Sequence, residues 1–380
     1  MLRILSNWIH RYLSDEEAVL LVIFLIVALV VTFTMGTILA PMLAGMVIAF
    51  LLQGLVLRLR GFGLPHVVAV TITFLIFVGF IGVSLFWIMP VIWEQMRGLF
   101  AELPRMLTKA QQLLLLLPEK YPSLISQVQV QEVLDMTRKE LGNVGQSLLT
   151  LSLANVPILM GVLIYLVLVP LLVFFFLKDS VQIQAWLSSF LPHHRPVMTR
   201  IWLEMNQQIA NYVRGKVMEI FIVGIVSYIC FSLLGVNYAL LLGVMVGLSV
   251  IVPYIGAAAV TVPVALVGYF QWGWSGEFFY LVAAYTVIQA LDGNVLVPLL
   301  FSEAVNLHPL AIILAVLVFG GLWGFWGVFF AIPLATLIKA TVNAWPLAQA
   351  ELAESMAAGA LAPPAELNPE TVEQEEAKPE

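Results

Sequence analysis

Five stretches of this chain run on for more than thirty residues without an aspartate, glutamate, lysine or arginine: 18–57, 61–93, 141–177, 220–276 and 304–338. A water-soluble fold cannot clothe such runs, because charged residues normally make up about a quarter of a globular chain. Here they make up 11%, against 61% hydrophobic residues. The solvent for most of the chain is therefore lipid. In lipid every backbone group must be paired within the protein, so the spanning elements are helices or a closed barrel. Runs of this length fit helices, which need about 20 residues to cross about 30 Å of hydrocarbon. The fold class is an all-α polytopic membrane protein. A cytosolic enzyme, a nucleic-acid binder and a secreted module are excluded.

The first run, interrupted near Gly36-Thr37 and Pro41, reads as two spans, and the second reads as one span ending near Pro90. A fourth span covers 154–177, a fifth about 217–235 and a sixth about 278–299. Two further apolar regions are too short-armed to cross. Residues 238–252 and 257–270 flank Val252-Pro253-Tyr254-Ile255-Gly256. Residues 308–321 and 326–340 flank Gly320-Gly321-Leu322-Trp323-Gly324-Phe325-Trp326-Gly327. Arms of 14 or 15 residues make only about 22 Å of helix. They read as two re-entrant helical hairpins whose irregular tips are covered by protein or line a wet cavity. About six full spans and two hairpins result.

Basic residues set the orientation. Arg3, Arg11, Arg58, Arg60, Lys178, Arg195, Arg200, Arg214 and Lys216 fall between spans on one side, which is taken as cytoplasmic. The expected layout is a cytoplasmic N-terminus (1–17), three spans (18–92), an extracytoplasmic amphipathic segment (93–150), the fourth span (154–177), a cytoplasmic amphipathic segment (178–216), a transport core (217–345) and an acidic tail (346–380). In the outer segment Trp93, Met96, Phe100, Leu103, Leu107, Ala110, Leu114 and Leu117 recur at helical spacing, and Leu124, Val128, Leu134 and Leu141 suggest a second helix. Residues 351–380 hold eight Glu and one Lys, so the net charge of −6 belongs to the tail, which is expected to be disordered. The first apolar run follows Asp15-Glu16-Glu17 and lacks a clear cleavage site, so it reads as a span and not as a signal peptide.

The hairpin regions echo each other. Val236-Asn237 precedes one and Val305-Asn306 the other, with tips and later prolines at matching offsets. A span plus a hairpin from outside, followed by a span plus a hairpin from inside, would be an inverted repeat. In secondary transporters such repeats place substrate where broken helices meet.

Ionisable residues inside spans are functional candidates by default. Asp292 lies in Gln289-Ala290-Leu291-Asp292-Gly293-Asn294 in the sixth span. It could hold a proton, bind a cation or accept hydrogen bonds from substrate hydroxyls, and Gln289 and Asn294 add amide groups. Pro253, Tyr254 and Gly256 at one tip and Gly320, Gly321 and Gly324 at the other are candidate substrate contacts. Asn237, Arg214, Gly215, Pro298, His308 and Pro309 are candidate gating or structural positions. Glu219 reads as interfacial. His193-His194 lacks the companions of a metal site. No metal, cofactor or enzymatic motif is expected, and Cys230 is the sole cysteine.

The strings Phe-Phe-Phe-Leu-Lys178-Asp179, Tyr212-Val213-Arg214-Gly215-Lys216, Val252-Pro253-Tyr254-Ile255-Gly256, Asp292-Gly293-Asn294-Val295-Leu296-Val297-Pro298, His308-Pro309-Leu310 and Ala331-Ile332-Pro333-Leu334 resemble, in order and spacing, the autoinducer-2 exporter family of bacterial inner-membrane permeases. The resemblance covers residues 15–345. It implies a homopentamer with a substrate site in each protomer, two helical hairpins per site and an elevator-like movement. It also implies export of a small polar solute of the autoinducer-2 type from the inner membrane, with both termini cytoplasmic. Some relatives resemble sodium/proton antiporters, so a coupling proton or sodium ion is left open. Gly293 stands where many relatives carry a second amide residue. A membrane scaffold acting through the 93–150 helices and a passive channel are the readings outside carrier transport.

Overall fold

The computed structural model describes residues 16–115, 156–190, 196–301 and 307–340. The predicted helix beyond Pro122, the His193-His194 loop, Asn306 and the acidic tail lie outside the described residues, as do residues 1–15.

Every described element is helical, as the unbroken apolar runs demand. In chain order they are α1 (Glu16–Gly61), α2 (His66–Val83), a π turn (Ser84–Ile88), α3 (Met89–Leu115), α4 (Val156–Lys178), α5 (Ser180–Ser188), α6 (Pro196–Leu233), α7 (Ala239–Ser249), α8 (Ile255–Trp272), α9 (Gly276–Leu291), a second π turn (Asp292–Leu296), α10 (Val297–Phe301) and α11 (Pro309–Phe329). A short apolar helix, α12 (Ala331–Ala340), follows. Both π turns end just before a proline, Pro90 and Pro298. Proline has no N–H to offer the carbonyl four residues back, so the helix widens there instead of stopping.

Seven helices among the described residues are long and apolar enough to cross a membrane. Two of the seven, Ile255–Trp272 and Pro309–Phe329, are hairpin arms of 18 and 21 residues, longer than the 14 or 15 expected, so one arm of each hairpin is not too short to cross. The first apolar run departs from expectation. Residues 18–57 lie in one unbroken helix that passes straight through Gly36, Thr37 and Pro41. A turn at that point would free several backbone groups where no water can pair them, so the chain tolerates the proline and stays helical. The region 18–92 thus contains two long helices where three spans were expected. The amphipathic stretch before residue 217 is likewise no separate segment, because it is the first half of the 38-residue α6. Nor does the third span end at Pro90. It continues through α3 into the outer segment, as far as Gln112 as an apolar span.

That outer extension does not lie free. The side-chain Oε1 of Gln95 accepts the backbone N–H of Leu241, Leu99 packs on the core around Leu242, and a Cβ on Gly98 would touch the Tyr238 ring at 3.0 Å. These contacts dock α3 on the base of the first hairpin. On the other side of the molecule, α1, α2 and α4 share an apolar cluster around Val56, Ala69, Val70, Val173 and Leu177. There His66 Nε2 donates to the Lys178 carbonyl at 3.1 Å.

Both hairpins are present, and α6 is the rail they share. The first, α7 and α8, packs on the later part of α6, with Val223 and Phe231 meeting Val236, Leu242, Val246, Val260 and Val264. Close approach there depends on small residues: a Cβ on Gly247 would stand 2.7 Å from the Ile220 carbonyl, and one on Gly243 2.8 Å from Tyr228 Cβ. This is packing through glycines four apart, familiar between membrane helices. The second hairpin returns along the earlier part of α6. Ala340 packs on Ile201 and Met205, and Leu337 on Ile209, while Phe329 and Ile332 pack with Tyr212 and Val213. The hairpins therefore approach along α6 from opposite ends and meet tip to tip. Val252 of the first tip packs against the cluster formed by Ala315, Val316, Phe319 and Ala331 of the second.

Each tip is closed by a glycine without which the bend could not form. A Cβ on Gly256 would lie 1.8 Å from the Ser249 carbonyl oxygen, and a Cβ on Gly327 1.8 Å from that of Phe319. The second bend also needs Gly324 at φ 58°, ψ −131°, a backbone region closed to side chains. In the first tip the Ile255 N–H donates to the Pro253 carbonyl at 2.7 Å, with Tyr254 between them at φ 63°, ψ −51°. That is a γ-turn of the rare, strained hand, held open by a non-glycine residue.

Candidate transport site

At the junction of the two tips, α6 presents two polar side chains one turn apart. The Tyr212 hydroxyl donates to the Phe329 carbonyl at 2.9 Å. The Lys216 ammonium donates to the Val250 carbonyl at 3.0 Å. Four residues rise about 6 Å along a helix, so the two tips are held at nearly one level. Both carbonyls lack their ordinary partner for the same reason. The residue four beyond Phe329 is Pro333, and the residue three beyond Val250 is Pro253. Neither has an N–H, and side chains of α6 fill the vacancy.

Tyr212→Phe removes one of these donors and leaves a buried carbonyl unpaired. It is expected to cost about 1–3 kcal/mol of stability. Thermal unfolding of the purified protein in one detergent, compared with the parent, measures it. A melting temperature equal to the parent's would mean that this bond does not hold the second tip.

Lys216 is 4% exposed and Glu219 2%, and their Nζ and Oε2 stand 2.6 Å apart. Glu219 is thus no interfacial residue. The unbroken α6 carries both groups into the packed core, with Lys216 also 5.2 Å from the centre of the Phe301 ring. Buried charge of this kind persists only when paired, since removal from water costs several kcal/mol per ion. Gly215 makes the packing possible. A Cβ there would meet the Phe301 ring at 2.8 Å and the Leu300 carbonyl at 3.3 Å, so α10 lies directly on α6 beside the ion pair.

Asp292 opens the π turn that joins α9 to α10, and it is close enough to interact electrostatically with both Lys216 and Glu219. It is half-buried. Its Oδ1 and the Gln289 Nε2, three residues apart on one helix face, are buried and have no hydrogen-bond partner among the described residues. Asn294 does not join them. It is exposed, and its Nδ2 donates back to the Ala290 carbonyl.

The remaining sequence candidates divide. Tyr254 is 59% exposed at the first tip, with Pro253 half-buried beside it. Gly256 is buried and serves closure of the bend. Gly321 is exposed with open space around it, whereas Gly320 sits against Val328. Trp323, beside Gly324, stacks on Phe319 with centroids 5.8 Å apart, and its buried Nε1 has no partner among the described residues. His308 caps α11, its Nδ1 accepting the Leu310 N–H, with Pro309 in the first turn. The Asn237 N–H donates to Gln271 Oε1, whose amide donates in turn to the Gly235 carbonyl, which places Asn237 at the base of the first hairpin and away from the tips. Arg214 is exposed with its guanidinium 5.1 Å from the Phe50 ring centre, facing α1. Pro298 is exposed beyond the π turn.

Missed from sequence were Tyr212, Lys216 and Glu219 as members of the site. The signal was an i,i+3 Lys–Glu pair followed at once by the charge-free run 220–276. A separate groove of about 940 Å³, between α1, α2, α4 and α6 and lined by Ile48, Phe77, Tyr165 and Phe221 among others, is almost wholly apolar. It suits hydrocarbon and not a polar solute.

Known proteins resemble this chain over most of its length. The profile of AI-2E family transporters matches residues 18–347. PerM of Escherichia coli (strain K12), named as a permease, is 47% identical over 346 residues, covering 91% of this chain and 98% of PerM. YueF of Bacillus subtilis (strain 168), named as a transport protein, is 26% identical over 348 residues, covering 88% of this chain and 93% of YueF. YrrI of the same strain, likewise named as a transport protein, is 24% identical over 307 residues, covering 80% and 85%. With residues 18–347 matched in one continuous stretch and a polytopic helical fold to match, this chain belongs to the AI-2E transporter family.

Proposed function

We propose that this chain is a secondary carrier that exports a small polar metabolite, of the kind represented by the autoinducer-2 signal, across the bacterial inner membrane. One observation carries the reading. Two glycine-closed hairpin tips meet end to end on α6, and beside them stand an ion pair, an unpartnered carboxylate oxygen and an unpartnered amide. Tips of this kind can part on alternate sides while the polar groups between them stay in place. Broken helices meeting at a polar site are how secondary transporters present backbone and charge to a solute. Asp292 and Gln289 would receive hydroxyl groups of the solute, with Tyr254 at the rim of the first tip. Assembly as a homopentamer, independent action of each protomer, the elevator movement and the inner-membrane location rest on the family resemblance alone, whereas the cytoplasmic termini rest on the distribution of basic residues as well.

A sodium or cation/proton antiporter is the second reading, favoured by the two carboxylates that share one ammonium at the site. Everted vesicles loaded with a dye that reports internal pH separate the two readings. An antiporter moves protons when sodium alone is added, whereas a metabolite exporter does so only with its solute. For the exporter, Asp292→Ala at matched protein level is expected to lower efflux of the solute at least about tenfold, the effect of losing a charged hydrogen bond of about 1.5–3 kcal/mol. Undiminished efflux would remove Asp292 from the site.

A further inference from the structure

Among the described residues the polar junction holds two carboxylates, Glu219 and Asp292, and a single ammonium, Lys216. The charged and titratable groups that the described residues place around it can be named. On α6 itself Tyr212 is committed to the Phe329 carbonyl, and Arg214 turns outward to Phe50. Neither α7 nor α10 carries a titratable residue. On α9, Tyr285 is committed to the Ala257 carbonyl. The first tip contributes Tyr254, which points to the exterior. The second hairpin contributes Lys339, exposed near the far end of α12. Lys216 and Glu219 neutralise each other at 2.6 Å, and Asp292 Oδ1 is buried with nothing to bond it. Counted as ions, the described residues of the junction carry one negative charge in excess, on a half-buried carboxylate with one oxygen enclosed, and uncompensated charge withdrawn from water is costly. One monovalent cation restores neutrality. Among the described residues no three His, Cys, Asp or Glu side chains are grouped to hold a metal ion, and a proton needs only one oxygen.

We propose that Asp292 is a one-proton site coupled to the first hairpin tip through Lys216, which latches that tip by its bond to the Val250 carbonyl while Asp292 is protonated. The proposal rests on the carrier reading and adds its coupling ion. The step balances simply. Asp292 loses a proton to water and becomes a carboxylate. The Lys216 ammonium, until then shared by Glu219 and Val250, is drawn toward the new charge. No covalent bond changes other than that O–H. What is lost is the hydrogen bond to Val250, and Pro253 cannot replace it, since the third residue on has no N–H. Acid therefore favours the latched tip and alkali the free one. Binding energy that discriminates between the two tip positions is what a coupling ion must supply.

The test reads tip exposure directly and needs no substrate. Full-length protein carrying Cys230→Ser, which removes the sole cysteine, and Ile255→Cys at the half-exposed tip position is placed in lipid nanodiscs. It is labelled with a water-soluble thiol reagent over a pH series, and each rate is divided by that of a free cysteine standard at the same pH. The normalised rate is expected to rise about tenfold from acid to alkaline pH, the equivalent of one charge-assisted hydrogen bond. Adding Asp292→Asn is expected to give slow labelling at every pH, and Lys216→Met fast labelling at every pH. Asp292→Glu keeps the carboxyl group and should keep the rise. A flat profile in the otherwise unchanged protein, or an undiminished rise with Asp292→Asn, overturns the proton site. A rate that responds to sodium replacing choline, and not to pH, overturns it in favour of a metal cation. Each of these results can be obtained without Lys216→Met, should that variant not fold. None of these outcomes decides the carrier reading, which stands or falls on the efflux measurement with Asp292→Ala.

Discussion

Gly256→Ala is expected to be among the most damaging single-methyl changes in this chain, destabilising it by at least about 3 kcal/mol, the upper end of ordinary overpacking. The added carbon would lie 1.8 Å from the Ser249 carbonyl oxygen, well inside the sum of van der Waals radii. The obstacle is backbone, so no side chain can swing aside. Relief requires the two arms of the first hairpin to separate, and those arms are the walls against which Val246, Val260 and Val264 bury their side chains. Separation would also draw Val250 away from Lys216 and leave the ion pair without one of its partners. Gly327→Ala faces the same contact with Phe319 in the second hairpin and should behave alike. Gly293→Ala is the matched control, for a Cβ there meets nothing within 4 Å. The measurement is the melting temperature and the fraction eluting as a single species in one detergent. Large losses for Gly256→Ala and Gly327→Ala with little change for Gly293→Ala are expected. Equal behaviour of all three would mean that the tips are not closed as described.

The hairpins were legible because their signals are strong and local. Apolar arms broken at Pro253-Tyr254 and at Gly320–Gly327 announce a bend in each region, although only α7 and α12 are as short as the sequence suggested, α8 and α11 being long enough to cross. The polar cluster was only half legible. Asp292 stood out as an acid in an apolar span, but residues two apart on a helix point to different faces. Asn294 therefore could not accompany it, while Gln289, three residues back, does. Lys216 and Glu219 were read as the edge of a span because a basic residue at the start of an apolar run usually marks the membrane surface. What places them inside is tertiary. α6 does not begin at residue 217 but at Pro196, and the second hairpin covers its first half. No property of residues 196–216 alone announces that cover. The break expected at Pro41 failed for a related reason, since a proline that would end a helix in water is tolerated where lipid gives freed carbonyls no substitute partner. The glycine pair at 243 and 247 has the four-residue spacing of a membrane packing motif, but it was not among the positions singled out from sequence. Its partner Gly224, whose Cα would stand 2.9 Å from a Cβ on Gly247, was not readable, because nothing local ties α6 to α7 in register.

Lys216→Met should separate stability from function in a way that tests the whole junction. Methionine fills much of the lysine stem's volume but leaves Glu219, 2% exposed, as a buried carboxylate with its counter-ion gone. Breaking a buried pair from one side costs about 3–5 kcal/mol, whereas replacing both members by apolar residues is often neutral or stabilising. The single variant should therefore unfold well below the parent, and Lys216→Met with Glu219→Leu should recover most of the loss. Melting temperatures of the parent, both single variants and the double variant complete the cycle, and a coupling energy near zero would mean that the 2.6 Å contact is incidental. Transport should not recover with stability. In the double variant the Val250 carbonyl still has no donor, the first tip has lost its latch, and Asp292 faces a site with no cation to attract. A double variant as stable as the parent and as active as the parent would reduce Lys216 and Glu219 to packing. One as stable but inactive would mark them as parts of the carrier's working site.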